Sequence, residues 1–172
     1  SGDGRYVIFG STATNLVPGD TNGQHDIFLR DTLAGATVLV SVGSAGAAAN
    51  GGNYTGDVSS AGRYVSFMSD ASNLAPGDTN GKSDIFVRDL QSGITTRVSV
   101  DSSGAQGNGG VGTNAMSADG RSVAFQSEAS NLVPGDANGY YDIFVHDRQT
   151  ATTAAVSVAS AGVLSNSVSF AP

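Results

Sequence analysis

Apolar and polar residues alternate in short bursts along this chain, and Gly, Asp, Asn or Ser bounds each burst. "RYVIFGS", "RYVSFMS" and "RSVAFQS" each follow a "DG" or "AG" pair. After them come "DIFLRD", "DIFVRD" and "DIFVHD", then "TVLVSV", "TRVSV" and "AAVSV". Weaker bursts, "NYTGDVS" and "GTNAMS", precede Gly62 and Gly120. Val, Ile, Phe and Thr fill these runs and turn formers close them, as strands require. No segment sustains a helical period, so the pattern predicts an all-β chain with four short strands per unit.

The pattern is a repeat. Gly4-Arg5, Gly62-Arg63 and Gly120-Arg121 recur at a step of 58 residues, and Asp20, Asp78 and Asp136 keep that step. The expected units are 1–58, 59–116 and 117–172, forming one domain. The first copy lacks its weak strand, and "NSVSFAP" at the other end has that strand's pattern. Segment 166–172 is therefore expected to complete a first blade, in cis or in trans.

The combination "SADGRSVAFQS" followed by "SDIFVRDLQSG", with its copies, resembles the TolB-type β-propeller repeat, a WD-repeat-like bacterial blade. The resemblance covers nearly the whole chain. It implies a propeller of four-stranded blades and an extracytoplasmic setting, periplasmic, extracellular or at the cell surface, and it implies no single activity. Propellers close with about four to eight blades, and three would each have to turn roughly 120°, leaving their faces unable to pack. Two chains of three blades, exchanging C-terminal strands in a six-bladed homodimer ring, remove the exposed flanks and the open edge. A contact that fails to close would build a filament.

Composition narrows the function. Charged residues make up 13%, with a net charge of −7, and Lys82 is the only lysine. A phosphate backbone needs clustered cations, so nucleic acid is excluded as a partner. No apolar run is long enough for a membrane helix, so no insertion is expected. There is no cysteine, hence no disulfide or thiolate site. Opening at Ser1 without Met, the chain reads as a processed or recombinant piece.

The strands can be named A (weak, inner), B ("VAF"), C ("DIF") and D ("VSV"). A–B and C–D links are tight hairpins, whereas B–C carries "SNLVPGDTNG"-like loops and D–A carries "GSAGAAANGG" or "DSSGAQGNGG". In an up-and-down blade these long links share one face, the expected binding face for a glycan or protein. Tyr54, Tyr140 and Tyr141 lie near those loops and could stack on sugar.

Each long loop also carries D-x-N-x-x-x-D, matching positions 1, 3 and 7 of a calcium loop. The candidate ligands are Asp20, Asn22 and Asp26, then Asp78, Asn80 and Asp84, then Asp136, Asn138 and Asp142. Position 5 departs from the pattern as Gln24, Lys82 or Tyr140. The competing reading is loop architecture: "PGDTNG" is a turn in its own right, Leu16, Leu74 and Leu132 pin it, and Asp26 and its copies cap strand C. Both readings stay open at this point.

Nothing in the sequence assembles an enzyme. His25 and His146 are the only histidines and sit in different contexts, and no nucleophile-elbow or phosphate-cradle motif occurs. The expectation is a non-enzymatic binding or scaffold module, with a structural self-assembly unit as the alternative. Asp3 and Asp119 are expected in turns, Arg30-Asp31 and Arg88-Asp89 in interblade bonds, His25 in an exposed loop, and Phe9, Phe67, Phe125, Phe28, Phe86 and Phe144 in the core.

Overall fold

A computed structural model describes residues 1–170, the Thr55 side chain excepted. Its described residues form eleven strands and no helix. The first sheet contains β1 (Tyr6–Ser11), β2 (Asp26–Asp31) and β3 (Ala36–Leu39). The second contains β4 (Asn53–Val58), β5 (Tyr64–Ser69), β6 (Asp84–Asp89) and β7 (Ile94–Arg97). The third contains β8 (Val111–Met116), β9 (Ser122–Ser127), β10 (Asp142–Asp147) and β11 (Thr152–Ala155). Each sheet is an antiparallel meander in chain order, and the first has three strands where the others have four.

Register follows the apolar pattern. In every sheet the central strands set one phenylalanine opposite another: Phe9 with Phe28, Phe67 with Phe86, and Phe125 with Phe144. Their ring centroids lie 5.7, 5.9 and 5.9 Å apart. Five of the six are fully buried as expected; Phe9 is half-buried, on β1, which no inner strand among the described residues covers. The core fills the spaces between sheets. One cluster joins Ile27, Leu29 and Val40 to Val65, Phe67 and Leu74, and a second joins Ile85, Val87 and Val98 to Val123, Phe125 and Leu132.

The inner strands come as the weak pattern predicts, each with a register shift, between Asn53 and Gly56 in β4 and between Val111 and Asn114 in β8. The outer strands differ from expectation. "TRVSV" predicts pairing through Val100, but β7 stops at Arg97. Val98 N still donates to Ile85 O, and then the Ser99 hydroxyl replaces the backbone, accepting from Ile85 N and donating to Asp84. Ser41 and Ser157 end the other two outer strands in the same way. The serine in "VSV" is thus a strand terminator, not a strand residue.

Segment 166–170 forms no strand, and the remaining residues of the expected strand, Ala171 and Pro172, lie outside the described residues. Its entry is nonetheless placed as in an inner strand: Ser169 N donates to Tyr141 O, just as Asn53 N donates to His25 O two repeats earlier.

Candidate functional site

The B–C and D–A links meet on one face, and hydrogen bonds lock them across each blade boundary. Asn73, in the loop of the second blade, donates from Nδ2 to Ala48 O (2.8 Å) and accepts from Asn50 N (3.0 Å) in the link leaving the first. Asn131 does the same to Gln106 O and Asn108 N, at 2.9 Å each. The Asn50 and Asn108 side chains answer through Ser72 and Ser130. Thr95 donates from Oγ1 to Val42 O and from N to Ser44 Oγ, and Thr153 repeats this on Val100 and Ser102. Leu74 and Leu132 are buried beneath these locks, while Leu16, on the first described blade, is half-buried.

Both open ends of the array carry one half of this lock. On the first blade the equivalent residues are Thr14, Asn15 and Thr37; on the last link they are Val158, Ser160, Leu164 and Asn166. None of them makes the corresponding interblade bond among the described residues.

Within each acidic loop the asparagine is already committed, its oxygen to the loop and its nitrogen to the neighbouring link. Asn22, Asn80 and Asn138 accept through Oδ1 from the amides of Gln24, Lys82 and Tyr140, an Asx turn. Their Nδ2 groups donate to Ala49, Gly107 and Ser165 carbonyls. Gly23, Gly81 and Gly139 have φ between 63° and 71°, the left-handed conformation that makes the turn. Lys82 and Tyr140 at position 5 are exposed and Gln24 is half-buried.

The two aspartates come together in the second loop, where Gln106 bridges Asp78 and Asp84, and in the third, where Asp142 acts on Asp136. Asp26, Asp84 and Asp142 are fully buried, and Asp20 and Asp136 nearly so. Asp26, Asp84 and Asp142 accept the terminating hydroxyls of Ser41, Ser99 and Ser157 (2.5, 2.5 and 2.7 Å), so they organise the strand start through serine rather than by capping it directly. Burial raises the Asp84 carboxyl above its usual range, against the opposing pull of Ser99, Gln106 and Arg97. Burial also raises Asp136, and the negative Asp142 adds to the effect. Among the described residues no three His, Cys, Asp or Glu side chains converge as a metal group, so each loop offers two carboxylates beside hydroxyl, amide and backbone oxygens.

The remaining sequence candidates resolve as follows. Asp3 and Asp119 accept from the amides of Arg5 and Arg121 and from Ser1 and Ser117 hydroxyls, which is a turn role. Asp31, Asp89 and Asp147 pair with Arg5, Arg63 and Arg121 inside their own blades, at 2.8, 2.8 and 2.6 Å, a correction to the interblade expectation. The spacing missed this because the partner arginine opens strand B of the same sheet, antiparallel to the aspartate. Arg88 does cross the boundary, donating to Gly43 O and Val42 O. His25 is half-buried rather than exposed: it stacks on Tyr54 at 6.3 Å, and its Nδ1 meets Asn53 O. Tyr54 also donates to Asp70, Tyr140 is exposed, and Tyr141 is half-buried. A cleft of about 450 Å³ runs along the unpaired edge of β1 against β4, lined by Ile8, Phe9, His25 and Tyr54.

No family model and no curated protein matches this chain. Solved structures do. A structure described as TolB from Agrobacterium tumefaciens aligns with a TM-score of 0.54 at 17% identity, over 90% of this chain and 46% of that one. The β-propeller domain of the Trilobed protease from Pyrococcus furiosus, described as having an open velcro topology, gives 0.53 at 16%, over 87% and 38%. The tricorn protease gives 0.53 at 14%, over 91% and 17%. At such identities the likeness is one of fold alone: the chain has a TolB-like β-propeller fold and spans less than half the length of these structures.

Proposed function

We propose that this chain is a non-enzymatic binding and scaffold module of a bacterial propeller, secreted, periplasmic or surface-located. A second copy completes its ring to six blades, and the long-loop face receives a glycan or protein. Calcium held by the acidic loops stiffens that face; extracellular modules use such sites at roughly 0.1–1 mM affinity, where calcium is abundant.

The observation that carries this reading is the split lock. Thr14, Asn15 and Thr37 on one end and Val158, Ser160, Leu164 and Asn166 on the other hold the positions that close the two locks inside the chain, with Thr14 for serine and Leu164 offering the same backbone carbonyl. The flanks agree: Val7 and Val38 at the first blade, and Val156, Val158 and Val163 at the last, leave apolar surface in water. A second reading, self-assembly without any small ligand, is favoured by the uncovered edge of β1 and by Ser169 standing at the entry of an inner strand.

Light scattering on the eluting protein, with calcium and with chelator, tests both. Twice 17.2 kDa supports the closed ring, and larger open species support the filament. A monomer at every concentration would sink the assembly. A glycan array read with and without calcium then separates binding from pure assembly, and silence in both conditions counts against a lectin.

A further inference from the structure

The three acidic loops have the same backbone but not the same charge. In the second, the Arg97 guanidinium lies between the two aspartates, with Nη1 3.7 Å from Asp78 Oδ1 and 3.6 Å from Asp84 Oδ2. Its side chain is nearly buried, and Nη2 donates to Gly77 O. Gln106 Nε2 closes the same gap, donating to Asp78 Oδ1 at 3.0 Å and Asp84 Oδ2 at 2.7 Å. These two oxygens therefore aim at one point, and the chain's own cation sits there.

In the other copies that cation is missing from the sequence. The position of Arg97 is Leu39 in the first copy and Ala155 in the third, and that of Gln106 is Ala48 and Leu164. The first copy shows the consequence. Asp26 is fully buried, and its Oδ2, the counterpart of the Asp84 oxygen that meets Gln106 and Arg97, has no hydrogen-bond partner among the described residues. Asp20, at the position that Asp78 holds in the second copy, is 6% exposed. A buried carboxylate oxygen without a donor is expensive unless it is paired or coordinates a metal. In the third copy Asn138 Nδ2 donates to Asp142 Oδ2, but a neutral amide leaves both charges standing.

We infer that calcium binds the first and third loops only, between Asp20 and Asp26 and between Asp136 and Asp142, while Arg97 with Gln106 occupies the equivalent place in the second. This rests on the calcium reading of the loops given above and assigns it a stoichiometry. Hard oxygen donors and two negative charges suit calcium; a guanidinium already in place excludes it by charge and by volume.

Isothermal titration of chelator-stripped protein with calcium chloride tests the inference. The expected uptake is two ions per chain. The double change Arg97→Leu and Gln106→Ala, which copies the first repeat, raises it to three. The reverse transplant, Leu39→Arg with Ala48→Gln, lowers it to one and keeps the test open if the first variant does not fold. Three ions in the parent chain, or two in a folded Arg97→Leu/Gln106→Ala variant, overturn the inference while leaving the calcium reading intact. No uptake by any of the proteins overturns the calcium reading, and the inference with it.

Discussion

Asn15, Asn73 and Asn131 occupy one position in three blades, and among the described residues Asn73 and Asn131 bond to the blade before them. Replacing Asn73 with Ala removes two hydrogen bonds, to Ala48 O and from Asn50 N. A net value of about 0.5–1.5 kcal/mol applies to each, and exposure of Asn73 favours the low end because water replaces the partner, so the loss is about 1–2 kcal/mol. For a chain of this size that lowers Tm by roughly 2–8 °C. Asn131→Ala loses the same pair of bonds and should match it. Asn15→Ala has no such bond to lose within one chain, so a monomeric sample should melt within about 0.5 kcal/mol of the parent. In an assembled sample Asn15→Ala should instead weaken association, seen as dissociation at higher protein concentration. Urea melts at low and high concentration read all three variants. Equal losses for Asn15→Ala and Asn73→Ala in a proven monomer would refute the claim that this residue acts across blade boundaries.

Acid should unfold the protein through its intrablade ion pairs. Arg5 holds Asp31 at about 2, and Arg63 and Arg121 hold Asp89 and Asp147 lower still. Folded values below the unfolded one, about 4, mean stability that is present above pH 4 and lost as pH falls through the folded values. Urea midpoints should therefore drop below about pH 4, and Asp89→Asn should flatten that drop; an unchanged slope would remove the pair from the account. Gly56→Ala should destabilise by about 1–3 kcal/mol, since overpacking against backbone cannot relax cheaply. The added Cβ would stand 2.4 Å from Ser66 O and 3.1 Å from Ile8 Cδ1, so a neutral chemical melt would mean that β4 moves freely at its bulge.

Much of the architecture was legible because it depends on period and turn chemistry. Alternation located the strands, and the recurrent Gly-Arg located the sheets, since Gly62 and Gly120 supply the positive φ of a turn that Arg63 and Arg121 immediately follow. What the pattern could not give was partners far apart in sequence. "VSV" reads as strand because serine between valines alternates well; that Ser99 turns its hydroxyl on Asp84 and ends the ladder depends on a carboxylate 15 residues earlier. Arg5 and Asp31 are separated by 26 residues, and only the hairpin brings them together.

The acidic loops show the same limit at the level of function. Their threefold recurrence made Asp20, Asp78 and Asp136 look equivalent, and both the calcium and the turn readings fitted all three copies. The asparagines answer for the turn: each spends its oxygen on a local amide and its nitrogen on the neighbouring link. The aspartates answer for charge, and there the copies divide. Arg97 lies outside the loop motif, 19 residues beyond Asp78, in a run that otherwise reads as an ordinary outer strand. Comparing Leu39, Arg97 and Ala155 in register was possible from the sequence, but nothing marked that column as chemistry until the fold placed it against two buried carboxylates. A repeat protein keeps its backbone by repeating residues, and it varies function where the repeat is broken.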